Sequence, residues 1–183
     1  MSDYQSMSGG GDGAARSARY VLGIDPGLRV CGWGVVEAGK PPRFIDCGTI
    51  RPSPRDTLPQ RLLALEDGVA GLIRRFSPSE VAIERPFIGS VAPAAALAIG
   101  QAQAAAVLAA AGAGLDVSFY APAAVKLAVA GYGQSEKRQI QAVVRLLLNL
   151  EAPPTPADAA DALAVALCHI QQTLVRALST GNG

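Results

Sequence analysis

At 183 residues, half of them hydrophobic and 17% charged, the chain suits one compact domain with a sizeable core and excludes an intrinsically disordered protein. A formal net charge of +1 and a pI near 7.7 give no ground for inferring a nucleic-acid binder from bulk charge. Cys31, Cys47 and Cys168 are odd in number, lack CxxC spacing and sit in apolar contexts, so they read as buried small hydrophobes of a reducing, cytoplasmic compartment.

Residues 1–18 are rich in Gly, Ser and Ala and contain no apolar run of the kind a secretory signal needs. They are expected to be a flexible tail, followed by one domain over 19–177 and a frayed tail over 178–183. Apolar runs at 20–25, 30–38 and 43–51 predict three successive strands, the first two joined by a tight turn at Pro26-Gly27. RLLALEDGVAGLIRRF then repeats its apolar residues at helical spacing, and EVAIE reads as a strand. A helix over 94–113, a strand LDVSFY, shorter helices near 122–130 and 136–149, and a last helix near 157–177 complete the chain. Ser135 is a natural N-cap for the helix that carries Lys137. Hairpin-like strands first and strand–helix alternation later fit an α/β fold, a mixed sheet with helices on its faces. Trp33, inside the second strand, reads as core.

The stretch 86–115 contains no charged residue and superficially resembles a membrane span. Gly89, Pro93 and Gly100 interrupt it, and Gln101 and Gln103 lie inside, so a buried helix of an α/β core is the reading and no membrane is expected. A helix with small residues on every side must bury more than one face. One face covers the sheet and another is free for a partner subunit.

Four acids stand out against this background. Asp25 and Glu84 each end a short apolar strand just before a proline, Pro26 and Pro86. A carboxylate at the mouth of a buried strand is costly unless a cation or hydrogen bonds compensate it. Asp158 and Asp161 lie three apart among alanine, leucine and valine, which places them on one face of a helix. Together they make an oxygen-rich set suited to Mg²⁺ or Mn²⁺. Ordinary local roles compete with this. Asp25 and Glu84 are also natural turn-starting residues, and Thr155 as N-cap with Pro156 at the first helical position would make Asp158 a capping-box acid. Capping accounts less well for Asp161, one turn deeper.

The blocks GIDPGLRVCGWGVV, AIERPF, GQAQAAAVLAAA, YAPAAVKLAVAGYGQSEKRQI and ADAADALAVAL occur in that order. With them the chain resembles the RuvC-type Holliday junction resolvases, of ribonuclease-H-like fold, over about 20–169. The resemblance implies a mixed five-stranded sheet with helices on both faces. It implies an endonuclease that resolves four-way DNA junctions by paired symmetric phosphodiester hydrolysis in recombination and repair. Asp25, Glu84, Asp158 and Asp161 stand where that family binds two divalent cations, Mg²⁺ or Mn²⁺; some members have histidine in place of Asp158. Asp25 matches the family's ion-bridging aspartate. Lys126 and Lys137 match basic positions that contact DNA or assist catalysis in the family, and Phe87 an aromatic that stacks on a base, an interaction that contributes ~1–3 kcal/mol. Arg138 and Arg85 are further DNA-binding candidates. Ordinary core packing is the competing role for Phe87. The resemblance further implies a homodimer and a RuvAB-type branch-migration complex as partner.

The loop after Phe87 departs from the family pattern. IGSVAPAAA and then Gln103 replace a polar, basic stretch, so neither that loop's DNA contacts nor a cleavage-sequence preference carries over. From 85 to 150 the chain has Arg85, Lys126, Lys137, Arg138 and Arg145 against Asp116 and Glu136, an excess that suits phosphates and equally a solvated face. His169 lies about 16 Å along the last helix from Asp158, too far to share an ion with it. Two other readings compete: an actin-like or sugar-kinase-type ATP phosphotransferase, because the Asp25 hairpin resembles a phosphate-binding hairpin, and a non-catalytic junction-binding module.

Overall fold

The computed structural model describes residues 18–85, 92–131 and 137–180. In chain order they form β1 (Tyr20–Asp25), β2 (Cys31–Glu37), β3 (Arg43–Ile50), α1 (Leu58–Phe76), β4 (Glu80–Glu84), α2 (Pro93–Gly112), β5 (Asp116–Tyr120), α3 (Pro122–Ala130), α4 (Lys137–Leu147) and α5 (Ala157–Thr180). Every element expected from the apolar pattern is present, with ends moved by a few residues.

The five strands make one sheet in the order β3-β2-β1-β4-β5. β1, β2 and β3 form an antiparallel meander, and β4 and β5 join β1 in parallel. Side chains alternate across a strand, and the sheet accordingly carries a core on each face. Leu22, Ile24, Trp33, Val81 and Ile83 pack with Leu65, Val69 and the alanines Ala102, Ala106 and Ala110, so α1 and α2 cover one face. Val21, Val36 and Ala82 pack with Val125, Ile140, Val144 and Leu163, so α3, α4 and α5 cover the other.

α5 lies directly on the strand backbone at Gly23 and Gly32, where the sheet beneath it carries no side chain. A Cβ at Gly23 would run into the Ala162 carbonyl, and one at Gly32 into the Asp158 carbonyl. α1 begins behind Thr57, whose N–H donates to the Gln60 side-chain oxygen at 2.9 Å, and ends at Ser77 in the left-handed region, φ 46°. α2 and α5 are each long and apolar enough to cross a membrane, yet both pack against the sheet here.

Two local expectations need correction. The Pro156 carbonyl accepts from the Ala159 N–H at 3.0 Å and the Ala160 N–H at 3.4 Å, so Pro156, not Thr155, occupies the cap position of α5. Asp158 therefore stands one place nearer the helix start than a capping box requires. α5 also runs on to Thr180, past the expected end at 177. Ser135 and Phe87 lie outside the described residues.

Candidate active site

The register of the central strands places the first two acids. Ile24 pairs with Ile83 across the parallel β1–β4 ladder, so Asp25 and Glu84 are the next residues on strands about 4.8 Å apart. Val21 and Ala82 face α5. Asp25 and Glu84, an even number of residues further along, share that face. Both are half-buried at the mouth of the sheet.

α5 brings the other two. Asp161 and Ala164, three apart on its inner side, line a cleft of about 240 Å³ together with Asp25 and Glu84. Pro122, Val125 and Lys126 from α3 and Ile140 from α4 form the rest of its wall. Asp158 enters through β2: its backbone lies against Gly32, and Gly32 is the residue paired with Asp25. Its carboxylate also acts on Cys31. Burial chiefly pushes the Cys31 thiol up to about 12; a hydrogen bond with the Gly27 backbone opposes this, and the charges of Asp25 and then Asp158 add to it. Both carboxylates are therefore within electrostatic reach of one buried sulfur.

Among the described residues no three acid, histidine or cysteine side chains are already drawn close enough to grip an ion. The donor set itself fits a hard divalent ion: all oxygen, half-buried, with the only thiol nearby held protonated by its surroundings.

The basic candidates divide. Lys126 is in the cleft wall, and Lys137 and Arg138 open α4, the helix that contributes Ile140 to the same wall. Arg85 is turned elsewhere. Its N–H donates to the Tyr120 carbonyl at 2.7 Å, and its guanidinium sits 5.4 Å from the centre of the Phe119 ring, beside Gln103 of α2.

His169 lies at the far end of the sheet, clear of the cleft. It is buried and shares a 2.8 Å hydrogen bond through Nδ1 with the Tyr120 hydroxyl. Its Nε2 bonds to Glu80, at the start of β4. Arg19 grips the same carboxylate at 2.6 and 2.8 Å. The Arg19 hydrogen bond chiefly holds Glu80 down to about 2, with burial opposing and His169 adding to the effect. An ionised Glu80 can only accept, so His169 Nε2 carries the proton.

Sequence reasoning missed Pro122, Val125 and Ile140 as cleft residues, because apolar residues in helices look the same whether they line a core or a cleft. It also missed Arg61, whose Nη2 donates to the Leu28 carbonyl at 2.7 Å and so ties α1 to the turn after Asp25.

The family model for "Crossover junction endodeoxyribonuclease RuvC" matches residues 21–169. A protein of that name from Leifsonia xyli subsp. xyli is 45% identical over 164 residues, 88% of this chain and 78% of its own. One from Rhodopseudomonas palustris (strain BisA53) is 48% identical over 160 residues, 86% of this chain and 90% of its own. A solved structure of Thermus thermophilus RuvC in complex with Holliday junction substrate superposes with a TM-score of 0.81 at 34% identity, covering 86% of this chain and 96% of that one. The yeast mitochondrial Holliday junction resolvase Ydc2, 12% identical with a TM-score of 0.61, shares the fold. A mixed sheet closed by an acid-bearing last helix, a match spanning nearly every described element, and identities of this size lead to one conclusion: the chain belongs to the RuvC crossover junction endodeoxyribonuclease family.

Proposed function

We propose that this protein is a Holliday junction resolvase whose acids Asp25, Glu84, Asp158 and Asp161 hold two divalent cations, Mg²⁺ or Mn²⁺. The observation that carries the reading is the cleft itself, where Asp25, Glu84 and Asp161 share one wall with Lys126. Asp158 is added to the set because its backbone lies against Gly32, the residue paired with Asp25. When bound, the ions supply charge neutralisation and Lewis-acid polarisation of a phosphodiester and its attacking water. The chain's own part is positional: β1 and β4 fix two carboxylates on adjacent strands, and α5 fixes two more on one face. Lys126 offers its ammonium to the phosphate that enters the cleft. Lys137, Arg138, Arg85 and Phe87 are proposed to contact DNA outside it. The expected cut leaves 5′-phosphate ends.

A junction cut symmetrically calls for two copies, and a homodimer is the simplest two-fold arrangement. Support for it comes from α2, which buries its alanines inward and leaves Leu97 and Leu108 about 60% exposed. A RuvAB-type branch-migration complex is the proposed partner assembly, and the cytoplasm the proposed location. The family assignment gives no support to an ATP phosphotransferase or to a non-catalytic junction-binding module.

The test is incubation with a synthetic four-way junction and with linear duplex, each with and without Mg²⁺ or Mn²⁺. Paired symmetric nicks on the junction alone, dependent on the ion and lost in Asp25→Asn with junction binding retained, are the expected result. Equal cutting of linear duplex, or metal-dependent cutting by Asp25→Asn, would refute the assignment.

A further inference from the structure

The end of the sheet that carries the acids also releases two loops, 26–30 between β1 and β2 and 51–57 between β3 and α1. Cys31 pairs with Ile50, so Arg29 and Arg51 leave neighbouring antiparallel strands within two residues of that pair. Arg55 follows in the turn closed by the Asp56 N–H on the Ser53 carbonyl, at 3.1 Å. All three arginines are exposed. Their only acidic companion in these loops is Asp56, which is half-buried.

Arginines at the opposite end of the sheet are neutralised. Arg19 pairs with Glu80 and Arg43 with Glu37; along the edge, Arg75 pairs with Asp46 at 2.9 Å. Among the described residues Arg29, Arg51 and Arg55 take part in no ion pair; the one side-chain hydrogen bond among them runs from Arg51 Nε to Thr49 Oγ1 at 3.1 Å. Their placement is also stiffened. Pro52 is buried and Pro54 follows, each with φ fixed by its ring. Arg61, one turn into α1, bonds the Leu28 carbonyl and so holds the two loops together.

We propose that Arg29, Arg51 and Arg55 form a second phosphate-binding surface that carries the backbone of one duplex arm of the junction, on the β3 side of the acidic cleft. The inference rests on the resolvase reading and extends its substrate contacts. β3 lies two strand spacings from β1, about 10 Å. At 3.4 Å per nucleotide along one strand, that is a reach of about three nucleotides from the cleft. Lys126 stands on the other side, so a strand whose scissile phosphate faced the carboxylates would meet positive charge in both directions. Each guanidinium carries five N–H donors, of which, among the described residues, only the Arg51 Nε–H is engaged, and the fork suits phosphate oxygens.

The test compares the full-length protein with a triple Arg→Gln variant at 29, 51 and 55 and with a triple Arg→Lys variant, after circular dichroism has verified folding. Junction affinity is measured from 50 to 300 mM salt, on junctions with full arms and with arms cut to a few base pairs. The log–log salt slope is expected to become shallower by about 2–3 in the Gln variant and to return in the Lys variant. The difference is expected to vanish on the short-armed junction. An unchanged slope in the Gln variant, with the wild type still cutting junctions, overturns the arginine surface alone. A wild type that neither prefers nor cuts junctions overturns the resolvase reading with it.

Discussion

The backbone carbonyl of Asp158 occupies the space that a Cβ on Gly32 would fill, directly across the β-ladder from Asp25. A helix normally rides on a layer of side chains; here that layer is interrupted at Gly32 and Gly23 under the first turns of α5.

Gly32→Ala should therefore injure activity more than stability. The added methyl pushes the start of α5 outward, an overpacking cost of about 1–3 kcal/mol. That corresponds to a fall in Tm of roughly 2–12 °C for a chain of this size. Displacement of positioning groups by about 1 Å can lower turnover on the order of 100-fold. Thermal unfolding beside single-turnover junction cleavage measures both effects, and wild-type turnover in a folded variant would contradict the argument.

Lys126→Ala is expected to lower both affinity and rate. Loss of one phosphate contact makes the salt slope of junction binding shallower by about one. Because Lys126 lines the cleft with Asp25, Glu84 and Asp161, the rate at saturating junction should fall as well. A surface lysine would leave saturated turnover untouched.

Glu80 gives the protein an acid-sensitive latch. Its folded pKa, about 2, lies below the ordinary value of 4.5, so its contribution is fully present above about pH 4.5 and is lost as pH falls toward 2. The carboxylate is partly exposed, and solvent screening holds the effect to about 1 kcal/mol. Chemical denaturation of Glu80→Gln beside wild type should show a gap at pH 6 that narrows steadily below pH 4.5 and closes only below pH 2. His169→Ala should cost more, roughly 2–3 kcal/mol, since it leaves the Tyr120 hydroxyl and Glu80 without their buried partner.

Thiol reactivity offers a simple check of packing. Cys31 is pushed up to about 12 and Cys168 to about 11, both chiefly by burial. Cys47 is half-buried and shifted in the same direction. An alkylating reagent at pH 8 should label the native protein at Cys47 first and reach all three only after unfolding. Rapid native labelling of Cys31 would mean that the core between the sheet and α1 and α2 opens in the folded protein.

The ends of β1 and β4 were legible because an apolar run stopped by an acid and a proline is a local pattern. The helix acids were legible because three-residue spacing states a shared face. Trp33 needed only its place inside an apolar run. Contacts between distant segments left no such trace. Nothing in the sequence links Arg61 to Leu28, or Glu80 to His169 and Tyr120; those pairs follow from strand order and from the direction in which α5 crosses the sheet. Arg85 shows the converse. Its neighbours in sequence point to the cleft, but alternation along β4 turns it toward Phe119.

Parallel pairing of β1 with β4, closed over by a helix contributed from the far end of the fold, has a temporal meaning. Two of the four proposed acids arrive only with α5, the last element to be synthesised. If the four act together as proposed, the capacity to cut DNA would arrive only with the finished tertiary structure.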